Sequence, residues 1–413
     1  MARSILVIGA GMVGTCTALH LQQRGFDVAL VDRRGPGEET SQGNAGVIQR
    51  EAVEPYAVPR EPGFLLNAAL GRGAEVHWHV RGVWQMKGAL LRYFRHSKPA
   101  LHAQATEAFS RLIAHATEEH DVLIAAAGAS DLVAREGFRF AFRTPQALDL
   151  ALQHARELEL RFGVRHHAED HASLARAEPA LQAPLAGALH WLDPWAVRDP
   201  GGLVQRYAAL FQARGGRLLR GEAQSLQGQA GGWSVLTQEG RIEAEQAVLA
   251  LGPWAADLTR SLGYRFPLFV KRGYHQHYLA PVMLRQPLLD AERGYVLAPM
   301  VRGLRLTTGA EFAPLDAAPT PVQLKKVEVL ARELLDLGQP LSEPAWLGAR
   351  PCTADMLPVM GPAPRHPGLW FNFGHSHQGF TLGPVAGRLL ATLVSGEGYW
   401  IDPAPYAPSR FEG

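Results

Sequence analysis

The sequence predicts an α/β protein of two domains, one built on a parallel sheet and one on a mixed, largely antiparallel sheet. Three observations lead there. A strand, a glycine-rich turn and a helix open the chain at residues 5–24, apolar runs ending in glycine return at 247–252 and 369–374, and residues 268–308 read as successive antiparallel strands. At 413 residues the chain exceeds what one hydrophobic core usually serves, so two domains are expected, with ample burial for both.

Residues 5–8, Ile-Leu-Val-Ile, suit a strand buried on both faces. Gly9, Gly11 and Gly14 follow as G-x-G-x-x-G where that strand feeds a helix that begins with Met12 and Val13. The first glycine permits the tight turn, the second lets the backbone approach a pyrophosphate, and the third lets helix and strand pack closely. Phosphate charge then meets the helix N-terminus. Gly25 ends the helix, residues 28–31 make a second strand, and Asp32 closes it about 20 residues past the glycines, where an acid accepts from a ribose hydroxyl. The unit is Rossmann-like. Asp32 argues against a 2′-phosphate, which it would repel, and Arg33 and Arg34 follow it directly.

Residues 33–48 are rich in small and turn-forming residues, with Thr40, Ser41 and Asn44 as hydrogen-bonding side chains. An NAD domain would continue with helix and strand, whereas this polar loop suits lying along a longer cofactor. Residues 50–145 turn proline-punctuated, aromatic and histidine-rich, with a helical stretch around 100–119. Further helices are expected at 144–162, 199–215 and 320–337, a strand turn at 238–240, and a final strand, polar turn and helix at 369–373, 374–379 and 380–393. The cofactor domain is therefore expected to be discontinuous, at 1–80, 141–185, 197–260 and 345–413. Residues 81–140, 186–196 and 261–344 make up the substrate domain.

Composition narrows the function classes. A formal net charge of +2 gives no global argument for nucleic acid. Cys16 and Cys352 are the only cysteines and sit in different motifs, which predicts no disulfide framework and a reduced, cytoplasmic compartment. No apolar run approaches the roughly 18 residues a membrane span needs.

The segment "VDRRGPGEETSQGNAGV" resembles the corresponding part of the FAD-dependent D-amino acid dehydrogenases, within the larger D-amino acid oxidase, glycine oxidase and sarcosine oxidase group. The resemblance implies FAD, bound by the opening unit (Gly9, Gly11, Met12, Val13, Gly14, Asp32, Arg33, Arg34), with Ser41, Asn44, Ala45, Gly46 and Val47 near the ribityl chain and flavin ring. Ala223 and Gly252 correspond to further cofactor contacts. The C-terminal "FGHSHQGFTLGP" resembles the group's last strand-helix unit, making Gln378, Gly379, Phe380 and Thr381 contacts of the flavin edge; a helix N-terminus there presents free N–H groups and partial positive charge.

For the substrate, "GARP" carries Arg350, matching the arginine that grips the substrate carboxylate, and a guanidinium suits a planar carboxylate with two parallel donors. The following Thr353-Ala354-Asp355-Met356-Leu357-Pro358 departs from the group's usual Thr-Pro-Asp-Gly-x-Pro. Tyr274, in "VKRGYHQHY", corresponds to a second carboxylate contact. His377 stands where glycine oxidases carry an arginine, which implies a part in orienting the substrate. The implied reaction is oxidative deamination of a D-amino acid or related N-substituted amino acid by hydride transfer to flavin N5, without a compulsory protein acid or base. The electrons then pass to a quinone or other acceptor. Oxygen-using oxidases of glycine, sarcosine, proline derivatives or opines, and an FAD-binding electron-relay subunit, are the alternatives.

Two features stand apart from that reading. His77/His79, His275/His277 and His375/His377 are H-x-H pairs, each on one face of a strand, but no glutamate or cysteine accompanies them at ligand spacing, so no metal is expected. Residues 60–98 hold seven Lys/Arg against two Glu, interleaved with Trp78, Trp84, Tyr93 and Phe94. That mixture suits peripheral contact with an anionic membrane face or a partner subunit, and equally a solvated surface.

Overall fold

A computed structural model describes residues 3–71 and 73–412 and builds them on two large sheets. In the first, five parallel strands run in the order Arg217–Gln229, Asp27–Asp32, Ser4–Ile8, Gln246–Leu249, Leu369–Phe373. Antiparallel strands Gly232–Thr237, Gly240–Ala244 and Val359–Pro362 extend its edges. The aliphatic run at 5–8 is buried on both faces for the reason its sequence gives. Ile5 and Val7 pack toward helices Met12–Gln22, Pro200–Ala213 and Gly379–Ser395, while Leu6 and Ile8 pack toward helix Ala255–Ser261 and the aromatic cluster of Tyr264, Phe371 and Phe373.

The second sheet has eleven strands, and Leu268–Leu279 is its spine. That strand pairs antiparallel with Gly303–Thr307 and with Trp346–Thr353. Gly303–Thr307 in turn pairs with Tyr295–Met300, which gives the antiparallel run expected at 268–308. A small third sheet joins Val47–Ile48, Trp195–Val197 and Val133–Ala134.

The sheets cut across the expected division. Strands Phe138–Phe142 and His166–Asp170, mostly within the 141–185 piece assigned to the cofactor domain, belong to the second sheet, as do Val76–Trp78 and Trp346–Thr353. Conversely, the helical stretch around 100–119 is two helices, Pro99–Ile113 and Ala116–Ala126, and both pack on Gly379–Ser395 beside the parallel sheet. Hydrophobic periodicity tells a segment which face to bury but not against which sheet. Helix Val80–His96 was not anticipated; it carries most of its length on the surface.

Candidate active site

One cavity of about 340 Å³ lies where the two sheets meet, and both the glycine turn and the wall of the second sheet line it. At the turn, Gly9 adopts φ +111°, and a β-carbon on Gly14 would stand 1.8 Å from the Gly9 carbonyl oxygen. The close approach of strand and helix therefore demands glycine at that position. Beside Gly11 the nearest heavy atom to an added β-carbon is Ser41 Oγ, at 3.4 Å, so the space above the helix start is open. Ser41 Oγ accepts from the Met12 N–H at 3.0 Å. Asp32 is held rigidly at the end of its strand: one oxygen accepts from Ala10 N–H at 2.7 Å and the other from Arg34 N–H at 3.0 Å. Arg33 and Arg34 both reach Glu39, and Arg33 also lies over the Trp254 ring, so neither guanidinium is left free for a 2′-phosphate.

The loop after the second strand is shaped by its own polar groups. Asn44 Oδ1 accepts from the N–H groups of Gly46 and Val47, and Arg305 donates from behind to the carbonyls of Gln42 and Asn44. Asn44, Ala45 and Val47 line the cavity, with Ala223 and Gly252 at its far end. Gly46 lies just behind them and is not itself a lining residue. Gly379 and Phe380 line the opposite end, at the first turn of Gly379–Ser395. Gln378 and Thr381 are buried one layer deeper, and Thr381 Oγ1 accepts from the Gln49 N–H at 3.1 Å. Helix Gly379–Ser395 thus aims its N-terminus at the cavity, as does Met12–Gln22, which packs against it.

Arg350 comes from the second sheet. It sits in register with Lys271 across the pair Trp346–Thr353 and Leu268–Leu279, so both side chains leave the same face. Its neighbour on that face is Gly273, where a β-carbon would stand 2.7 Å from Arg350 Nη1; the missing side chain is the room the guanidinium occupies. Arg350 donates to the Gly309 carbonyl at 3.2 Å, and among the described residues no carboxylate lies within ion-pair distance of it. A cation on a cavity wall with most of its donors uncommitted is suited to a ligand carboxylate.

His377 faces the same space, its ring 4.7 Å from that of Tyr56. Burial drives its imidazole well below the usual value, and the Arg350 and Lys271 cations add to that, so the ring is neutral with an unpartnered Nδ1. Tyr274 lines the cavity as well, with its hydroxyl already engaged. Its hydroxyl donates to Glu311 at 3.1 Å and accepts from the Thr320 N–H at 2.7 Å, so its phenol is committed on the other face of the strand. Of this strand Gly273 and Tyr274 line the cavity, and alternation puts the Tyr274 side chain on the face opposite Lys271 and Gly273, where its hydroxyl meets Glu311 and Thr320. The tyrosine beside Arg350's space is Tyr56, from the proline-rich stretch, which had no recognisable signal. Trp346 and Gln49 also line the cavity without having been singled out. Trp346 stacks on His275, with centroids 4.9 Å apart.

The H-x-H pairs resolve separately. His275 packs on Trp346, while His375 is buried and His377 half-buried, neither beside an acid among the described residues. His77 and His79 do meet a glutamate, Glu311, through the pairing of Val76–Trp78 with Ala310–Phe312. That carboxylate already accepts from Arg272, Tyr274, Thr320 and His79, so it forms a hydrogen-bonded ion-pair network.

The cradle of glycine turn, Asp32, polar loop and last helix fits a dinucleotide with a long tail, with Arg350 beyond it for a second ligand. Comparison with known proteins agrees. Residues 4–393 match the family model described as FAD dependent oxidoreductase. The chain is 30% identical to a D-amino-acid oxidase of Bradyrhizobium diazoefficiens, with 99% of each chain covered. It is 30% identical to a D-amino acid dehydrogenase of Cereibacter sphaeroides, with 98% of this chain and 95% of the other covered. Among solved structures, glycine oxidase from Geobacillus kaustophilus is similar at TM-score 0.74 and 23% identity over all of both chains. Iminodiacetate oxidase from Chelativorans sp. is similar at TM-score 0.73 and 22% identity over 98% of each. The chain belongs to the FAD-dependent oxidoreductase family of amino acid oxidases and dehydrogenases, and FAD is its cofactor.

Proposed function

We propose that the chain oxidises a D-amino acid, or a related N-substituted amino acid, at its α-carbon and delivers the electrons to a quinone. FAD, when bound, supplies the two-electron acceptor. The observation that carries the reading is Arg350, a cation in the cavity wall whose one hydrogen bond among the described residues goes to a backbone carbonyl. Arg350 orients the substrate by its carboxylate, and neutral His377 and Tyr56 close the space beside it. A substrate amine held near the Arg350 cation loses its proton more readily, since a like charge disfavours the ammonium form. No side chain has to remove that proton if the amine enters neutral. Two curated relatives bearing amino acid oxidase and dehydrogenase names support the D-amino acid assignment.

The quinone rests on a surface. Helix Val80–His96 exposes Val80, Trp84 and Leu91 along one stripe, each about 70% exposed, flanked by Arg81, Lys87, Arg92 and Arg95. From residue 76 to 98 there is no acidic residue. A basic amphipathic helix of this kind suits lying on an anionic lipid surface, where quinone is found. No described helix is long and apolar enough to cross a membrane.

Initial rates with D-, L-, N-methyl and N-carboxyalkyl amino acids, each with a soluble quinone or oxygen as acceptor, test the proposal. Turnover of D-substrates with quinone in clear excess over oxygen is expected. Turnover of none of the panel would remove the substrate assignment, and peroxide formation as fast as quinone reduction would remove the acceptor.

A further inference from the structure

Beneath the cavity runs a hydrogen-bonded chain of three side chains, Gln378, Gln49 and Glu51. Gln49 lines the cavity just after Val47–Ile48. Its side-chain oxygen accepts from Gln378 Nε2 at 3.0 Å, and its own Nε2 donates to Glu51 Oε1 at 2.8 Å. Gln378 and Glu51 are 2% and 5% exposed. Each end of the chain is left with a buried acceptor that has no partner: Glu51 Oε2 at one end and Gln378 Oε1 at the other. Orphaned acceptors in such a place are costly, and a second arrangement of the same three groups relieves one of them.

With Glu51 ionised, every donor points toward the carboxylate: Gln378 N–H to Gln49 oxygen, and Gln49 N–H to Glu51. Add one proton to Glu51 and the chain can run the other way. The Gln49 and Gln378 amides both turn: the Glu51 hydroxyl donates to the Gln49 oxygen, the Gln49 amide N–H donates to Gln378 Oε1, and the orphan acceptor at Gln378 is satisfied. Each amide flip exchanges atoms of nearly the same size, so the two turns need no repacking.

We propose that Glu51 is a positioning residue for the reacting centre: gain or loss of one proton at its carboxyl reverses the Glu51–Gln49–Gln378 hydrogen-bond chain and so the polarity of the amide at the head of the last helix. Gln378 immediately precedes Gly379 and Phe380, which line the cavity, so the reversal is felt where cofactor and substrate meet. The inference rests on that cavity being the site of oxidation. Burial supports it by pushing the Glu51 carboxyl up to about 7, into the range where the proton comes and goes. The charged groups facing Glu51 are few. Arg50, on its own segment, turns its guanidinium to the Phe162 carbonyl at the end of helix Pro145–Phe162. Asp193, in the turn before Trp195–Val197, faces it as a like charge, and the Tyr56 phenol lies beside it. His375 and His377 are held neutral by burial and do not titrate in this range.

The test uses the FAD-loaded protein. Difference infrared spectroscopy across pH 5 to 9 is expected to show a carboxylic acid carbonyl band titrating near 7, absent in Glu51→Gln. In the same range the absorbance of oxidised flavin is expected to shift with the same midpoint. The rate of anaerobic flavin reduction should change by about 2- to 10-fold, the worth of one rearranged hydrogen bond. Glu51→Gln should flatten both profiles, and Glu51→Asp should retain an inflection at a displaced pH. Gln49→Met severs the chain without touching the acid, so the carbonyl band should persist as the flavin response is lost; this variant decides the matter if Glu51→Gln fails to fold. Absence of the band, or a Gln49→Met flavin response that matches the wild type, overturns the proposal. If no amino acid reduces the flavin, the function fails, and the infrared and absorbance titrations still judge the relay.

Discussion

Replacing Arg350 by alanine is the sharpest perturbation the structure offers. The guanidinium accepts no acidic partner among the described residues and spends one donor on the Gly309 carbonyl. Two parallel donors therefore remain for a ligand carboxylate. Hydrogen bonds to charged groups are worth about 1.5 to 3 kcal/mol each, so their loss removes about 3 kcal/mol at the least. At 1.36 kcal/mol per tenfold, that weakens substrate binding by about 100-fold or more. Stability should move the other way or not at all, because the change deletes a cation that protein groups do not pair. The assay is anaerobic stopped-flow reduction of the bound flavin, with the apparent dissociation constant read from the concentration dependence, alongside thermal unfolding. A dissociation constant within threefold of wild type, with FAD retained, would refute the assigned role. Arg350→Lys should recover only part of the loss, because an ammonium is a point charge without the bidentate fork.

Further expectations follow from the cradle, the surface and the histidines. Gly14→Ala forces a β-carbon to 1.8 Å from a backbone oxygen, so it should lose FAD and unfold at lower temperature; normal flavin content would contradict the turn geometry. Asp32→Ala frees the Ala10 and Arg34 N–H groups and should weaken FAD retention on dialysis without unfolding the protein. Co-sedimentation with anionic vesicles should occur at low salt and disappear both at high salt and in the double variant Trp84→Ala, Leu91→Ala; no binding at low salt would dismiss the membrane face. Stability should fall steeply as pH drops below 6.5. His20, His120, His275, His277 and His375 are held by burial at about 3, 4, 2, 4 and 3, so the unfolded chain takes up protons that the folded chain refuses. Their stabilising share is complete above 6.5 and lost progressively toward those lower values. Glu51, raised to about 7, acts oppositely, its share being lost as pH rises from 4.5 through 7. A denaturation midpoint flat between pH 7 and 5 would contradict the buried, neutral histidines.

What the sequence revealed depended on how local the cause was. The opening strand, turn and helix were legible because Gly9, Gly14 and Asp32 answer to steric and hydrogen-bonding demands within a few residues. The helix at 144–162 was legible through Leu148, Leu152 and Ala155 at helical spacing, and the structure starts it at Pro145 and stops it at a left-handed Gly163. Arg350 was legible only through its motif, since an arginine's burial and lack of partners exist only in three dimensions. Tyr274 lines the cavity, but the commitment of its hydroxyl to Glu311 and Thr320 depends on strand pairing and on a segment about 40 residues away, which its motif does not carry. Tyr56, Gln49 and Glu51 lie in irregular chain without periodicity. The Glu311 that meets His77 and His79 comes from more than 230 residues away, beyond any spacing rule.

The most direct measurement is an anaerobic titration of the purified, FAD-loaded chain with a panel of D-, N-methyl and N-carboxyalkyl amino acids, followed at the flavin absorbance. The account predicts full bleaching by at least one carboxylate-bearing amine, with none by the corresponding amine lacking the carboxylate. A flavin that no member of the panel reduces, or that carboxylate-free amines reduce equally well, would contradict it.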